Sequence, residues 1–188
     1  MDNKEIVKKA ITFAKPYYDL PHRINGYHSW LHIEEGFDLF EKHFNNESSE
    51  LGTLVFYLSW IFHDIVYIGS SDKNEEESEL VFKLFCSLNS DLINEETQKY
   101  ISEIIIATKY HRPARVSNNE ILNISKKLND IDLAYLGYEF ESFMKKRELV
   151  RIDYIMYNER EFKIGSTLFC SQMQPNAERR SDLFNKNF

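Results

Sequence analysis

The longest apolar run in the chain, residues 51–67 (LGTLVFYLSWIFHDIVY), is hydrophobic on every side for about four helical turns. Such a pattern predicts a helix buried in a core. The neighbouring segments read as amphipathic. Residues 2–15 set Ile6, Ile11, Phe13 and Ala14 among lysines, and a helix there is expected to stop before Pro16. Residues 17–26 read as a loop, with Pro21 and the Asn25-Gly26 pair as turn signals. A second helix is expected over about 27–43, on Leu31, Phe37, Leu39 and Phe40. The polar break NNESSE precedes the buried helix, and a loop over 69–73 follows it. Asn74-Glu75-Glu76-Glu77 then opens a helix with its acids where the helix dipole favours them. That helix should end near Leu88. Further helices are expected over about 94–109, 120–137, 139–157 and 160–172, with a short amphipathic tail closing the chain. No strand pattern, internal repeat or low-complexity linker interrupts this order. The expectation is an all-α, single-domain helical bundle spanning 1–188.

Composition narrows the functional classes. A length of 188 residues suits one domain with a proper core. Six glycines and four prolines fit helices joined by short connections better than a sandwich with many turns. The net charge of −7 argues against a nucleic-acid polymer or an anionic membrane as the main partner. A small anionic ligand stays compatible, because a bound cation can invert the local field. Cys86 and Cys170 lie far apart and match no zinc spacing. The start MDNKEIVKK has no apolar core, so no signal peptide is expected. Residues 51–67 approach membrane-spanning length, but His63 and Asp64 would then sit in hydrocarbon or at its edge. A soluble, reducing, cytoplasmic setting is the expectation.

Those same two residues carry the first chemical signal. An imidazole and a carboxylate inside an apolar helix cost several kcal/mol unless something pairs with them. A divalent cation satisfies both at once. His28 and His32, four residues apart in YHSWLHI, would share one face of a helix. Asp130 and Asp132 lie beside another apolar helix, and the residues alone leave open which of them faces inward. His111 ends a helix containing Ile104-Ile105-Ile106. It reads either as a dipole-favoured terminal residue or as a group for a second metal or for phosphate. Glu75 is either a first-turn acid or a base, and Asn74 shares that choice. Arg23 and Lys109 are phosphate partners by charge. Tyr27 is expected to anchor a helix start, Arg151 and Tyr154 to pack, and His22 and His43 to be solvated. No P-loop, GxGxxG or GxSxG element is present.

The order His, His-Asp, Asp on three predicted helices resembles the HD superfamily of metal-dependent phosphohydrolases, an all-α group. YHSWLH is also similar to the YHNxxH element of the distant cyclic-nucleotide phosphodiesterases. A closer resemblance, to a bacterial family of predicted HD phosphohydrolases, covers nearly the whole chain. Its elements stand here as YHSWLHI, WIFHDIVY, NEEES, ATKYH, DIDLAYLG, VRIDY and a terminal ERRSDL. Two departures occur: Gly165-Ser166 stands where that family has a GR pair, and Asp153 where it has Glu. Both are expected to lie outside the metal shell.

The resemblance implies His32, His63, Asp64 and Asp132 as metal ligands and His28 as the proton donor. Asp64 and Glu75 would join His28 in catalysis, with Arg23, Lys109 and His111 on the substrate. One or two ions of Mn²⁺, Fe²⁺, Zn²⁺, Co²⁺ or Mg²⁺ would activate water against a phosphoester, in a small phosphorylated metabolite with a nucleotide foremost. A catalytically silent metal- or nucleotide-binding module and a di-iron oxygenase are the competing classes. The apolar face of the helix expected over 139–157 leaves a homo-oligomer open.

Overall fold

Helix α3 (Glu50–Phe62) is the post around which the others are set, as its all-round hydrophobicity requires. In the computed structural model, which describes residues 2–173, it touches α1 (Asn3–Tyr18), α2 (Trp30–His43), α4 (Asn74–Leu88), α5 (Glu95–Thr108) and α6 (Asn119–Asp132). Helices α7 (Phe140–Asp153) and α8 (Glu159–Met173) complete the described residues, with two short 3-10 turns and no strand among them. The all-α expectation holds. The predicted amphipathic tail and the ERRSDL element lie outside the described residues. Among the described residues no helix is long and apolar enough to cross a membrane.

Side-chain period explains the packing. Ile6, Ala10, Ala14 and Tyr18 recur every fourth residue along α1 and are all buried. On α3, Phe56, Trp60 and His63 fall on one face and build a stack of rings. Phe40 of α2 lies 3.8 Å from Phe56 at 10°, Phe56 is near-parallel to Trp60, and Trp60 lies 4.4 Å from His63 at 22°. Each of the three carbocyclic or indole rings is fully buried, and burying one such side chain contributes about 1.5–3 kcal/mol. Gly36 lets α2 approach this stack, because a Cβ there would collide with the Trp60 indole.

Several boundaries differ from the sequence-based expectation, each because a tertiary bond outcompetes a local one. Helix α1 runs through Pro16. The lost hydrogen bond falls in the last turn, and the Tyr18 hydroxyl, donating to the Ile61 carbonyl at 2.8 Å, holds that turn in the core. Helix α2 begins at Trp30, three residues later than expected, so His28 is not on it. The Tyr27 and His28 N–H groups donate instead to the Asp153 carboxylate, at 3.0 and 3.2 Å. Helix α3 ends at Phe62, leaving His63 as its cap and Asp64 beyond it. The freed carbonyls of Asp64 and Ile65 accept from Arg23 at 2.6 and 2.8 Å. The helix expected to reach Gly137 stops at Asp132 and passes into a 3-10 turn, Ala134–Gly137.

Candidate metal centre

His32 comes from the first turn of α2, His63 and Asp64 from the end of α3, and Asp132 from the last residue of α6. One ligand atom from each lies within 4.8 Å of all the others, and all four residues are buried. His63 Nε2 stands 3.0 Å from Asp64 Oδ2 and 3.7 Å from Asp132 Oδ1, and His32 Nε2 is 3.3 Å from Asp132 Oδ1. Asp132, not Asp130, faces the histidines. Two positions along a helix turn a side chain through about 200°, so only one of the two acids can point inward at this height.

The donor set fits a divalent cation. His63 Nδ1 lies 2.8 Å from the Trp60 carbonyl, which can only accept, so Nδ1 carries a hydrogen and Nε2 is the atom turned toward Asp64. The contact of Nε2 with a carboxylate oxygen needs a positive charge between them, which a proton supplies in the metal-free protein and a divalent cation would supply in its place. His32 Nε2 and His63 Nε2 are both fully shielded from solvent, and the carboxylates beside them are met off the direction of a good hydrogen bond. Two atoms bound to one ion lie at most about 4.2 Å apart, twice a typical bond of about 2.1 Å. A spread within 4.8 Å exceeds that ceiling by at most about 0.6 Å, a closure that side-chain rotation can supply.

Electrostatics lead to the same conclusion. Burial alone would lower the His63 pKa, but the charges of Asp64 and Asp132 outweigh it and raise it well above the ordinary value. Burial would raise Asp64 and Asp132, yet the histidines around them hold both below the usual carboxylate range. At His32 burial prevails over Asp132, so its pKa is lowered and the ring is a neutral donor.

His28 reaches the cluster from the loop. Its Nε2 is 3.9 Å from Asp64 Oδ2, while Nδ1 is 2.7 Å from Asp153 Oδ2. Tyr67 stacks on the ring at 3.5 Å and 15°, and its hydroxyl is 2.8 Å from that of Tyr154. Asp153 is therefore outside the His32, His63, Asp64 and Asp132 group, as expected, yet it holds His28 beside that group. The YHSWLHI spacing does bring His28 and His32 together, with ring centroids 6.1 Å apart, but through an extended segment and not a shared helix face.

The other expected residues divide. His111 Nε2 lies 3.1 Å from Asp132 Oδ2, held there by a left-handed backbone with φ of 46°. Glu75 lines the same cavity, and burial, then the charge of Asp64, raises its pKa. Lys109 also lines it, though its ammonium is bound to Glu76 at 2.6 Å. Asn74 clasps the loop after Asp64, bonding both the N–H and the carbonyl of Ile68. Arg23 is the correction. Its buried guanidinium donates to the carbonyls of His28, Asp64 and Ile65 and lies over the Tyr18 ring, so it fastens two ligand-bearing segments together and offers nothing to a phosphate. Tyr27 is an anchor, but of Asp132, whose carbonyl accepts from its hydroxyl at 3.2 Å.

The cavity in front of the cluster has a volume of about 600 Å³. Its far wall is the inward face of α7 and α8, which no local pattern in the sequence assigns to a site.

No family model, curated protein or solved structure matches the chain.

Proposed function

We propose that this chain is a metal-dependent phosphohydrolase of the HD type, acting on a small phosphorylated metabolite with a nucleotide foremost. The observation that carries the reading is the pair of buried Nε2 atoms, of His32 and His63, set 3.0–3.3 Å from two carboxylates that line a cavity. The resemblance of the ordered His, His-Asp and Asp elements supports it. A divalent ion held by His32, His63, Asp64 and Asp132 would supply Lewis acidity and a more acidic water at neutral pH.

The chain's own groups supply the rest. Hydrolysis joins a water oxygen to phosphorus, breaks the ester P–O bond and returns a proton to the leaving oxygen. His28, with Nε2 toward the cluster and Nδ1 on Asp153, is placed to give that proton. Glu75, which lines the same cavity and whose carboxyl burial shifts upward, would take one from water. His111, on the cavity wall beside Asp132, would meet a phosphate oxygen, whereas Lys109 would have to leave Glu76 to do so. A second reading, two ions in place of one, is favoured by His111 alone, since its approach to Asp132 adds a fifth donor beside the four. It would also admit di-iron chemistry.

Metal content of protein purified without chelator, beside a His63→Ala control, tests the reading. One equivalent or two in the parent, lost in the variant, separates one ion from two, and a screen of nucleotides and phosphate esters follows. Protein that takes up neither Mn²⁺ nor Zn²⁺ nor Fe²⁺ overturns it in favour of a silent module.

A further inference from the structure

Helix α7 buries none of its side chains fully, and α8 buries only Phe162 and Met173. Both nonetheless carry an apolar stripe at helical spacing: Phe143 and Val150 with Arg147 on α7, continued by its cap Tyr154, and Phe162 and Phe169 on α8. These stripes face the cavity, where most helices would face a core. The rings stand along the wall in three pairs. Tyr154 lies 6.3 Å from Phe162, Phe143 is parallel to Tyr135 at 6.2 Å, and Phe169 is edge-on to His111 at 5.5 Å. A volume of about 600 Å³ falls within the range of small-molecule sites. Half-buried aromatic surface of this kind gains most when a flat apolar body covers it.

Charge limits the other end of the ligand. Among the described residues lining the cavity, the carboxylates of Asp64, Glu75, Asp132 and Glu161 face two basic side chains. Both are already engaged: Lys109 with Glu76 at 2.6 Å, and Arg147 with Glu148 at 3.1 Å and Glu159 at 3.9 Å. A divalent ion can match one phosphate dianion. The hydrolysis reading commits the imidazoles of His28 and His111 to the leaving oxygen and the first phosphate. Apart from these, no further cationic side chain among the described lining residues is left to match a second or third phosphate.

We propose that the α7–α8 wall is a specificity subsite for the ring-bearing organic body of a single-phosphate ester, and that the site discriminates against polyphosphates. The inference rests on the phosphohydrolase reading for the position of the phosphate, but the test of the ring subsite reads binding and not turnover. Calorimetric titration of the Mn²⁺-loaded full chain with phenylphosphonate and with methylphosphonate compares the two bodies on one head group. The expected result is phenylphosphonate binding at least about 10-fold tighter. Phe143→Ala and Phe162→Leu should each erase most of that advantage while leaving methylphosphonate within about two-fold of the parent. Because Phe162 is buried, Phe143→Ala on the half-buried face keeps the test valid if the other variant fails to fold.

Turnover of adenosine monophosphate against the triphosphate, with Mn²⁺ in slight excess of nucleotide, should favour the monophosphate. Equal affinity for the two phosphonates, failure to bind either, or a preference for the triphosphate overturns the proposal. Selective binding of phenylphosphonate without hydrolysis of any ester leaves the subsite standing and removes the hydrolase reading. Hydrolysis of phenyl and glycerol phosphates at the same efficiency, with no phosphonate preference, does the reverse.

Discussion

Asp153 Oδ2 lies 2.7 Å from His28 Nδ1, joining residues 125 positions apart. The same oxygen accepts the N–H groups of Tyr27 and His28, so one carboxylate sets both the backbone and the ring of the candidate proton donor. Gly26 and Gly69 permit this approach, since a Cβ on either would collide with Asp153. Asp153→Asn should leave metal content unchanged and lower turnover by about 10–100-fold, as loss of a partner that orients a working histidine does. His28→Ala should cost more, about 10²–10⁴-fold, again with metal retained. Normal turnover in His28→Ala would remove the proton-donor assignment.

Metal loading should stabilise the fold and release protons. At a hundredfold excess over Kd, Mn²⁺ or Zn²⁺ should add about 2.7 kcal/mol to unfolding stability, and none in His63→Ala. The metal-free protein holds a proton on His63, whose folded pKa is raised by Asp64 and Asp132. That protonation contributes stability fully below the unfolded value of about 6.5 and loses it as pH rises through the raised folded value. Metal must displace the proton, so affinity falls toward acid pH. Calorimetry in buffers of different ionisation enthalpy should read release of about one proton.

Gly36 carries a packing constraint that reaches the site. Gly36→Ala drives a methyl into the Trp60 indole, whose ring touches both His32 and His63. Urea unfolding should show a loss of about 1–3 kcal/mol, accompanied by weaker metal binding. A loss of stability with unchanged metal affinity would show that the ring stack does not set the ligands.

Arg23 tests whether charge or geometry is what the site needs there. Arg23→Lys keeps the charge but cannot reach three separate carbonyls in a plane. It should lower stability by about 2–4 kcal/mol. Turnover by the folded fraction should fall through His28 and Asp64, with no selective rise in KM of the kind expected on losing a phosphate ligand.

His111 adopts a backbone that favours glycine. Both His111→Ala and His111→Gly remove the imidazole from Asp132, but only glycine relieves the left-handed conformation. The glycine variant should therefore be the more stable of the two by about 1 kcal/mol in thermal or urea unfolding.

Which parts of the molecule were legible beforehand follows from how far apart the interacting groups lie. The helices follow from local periodicity, and α3 declares itself because residues 51–62 are apolar on every side. His63 and Asp64 stand out for a related reason: ionisable groups in apolar surroundings need partners. His32 and Asp132 are legible as candidates through their elements, though the choice between Asp130 and Asp132 needed the rotation of α6. Helix ends were less legible. Pro16, Tyr27 and residues 63–67 were misplaced because Tyr18, Asp153 and Arg23 supply distant partners to the backbone groups concerned.

By itself, then, the amino-acid order determined an all-helical chain and the presence of a His/Asp set, because hydrophobic period and desolvation act on neighbours along the chain. Tertiary structure alone decided that Arg23 is a clamp, that Asp153 holds His28, and that α7 and α8 turn their rings to a cavity. Those facts depend on hydrogen bonds and packing between segments up to 126 residues apart, and no local pattern encodes which distant group will satisfy a buried donor or cover an apolar face.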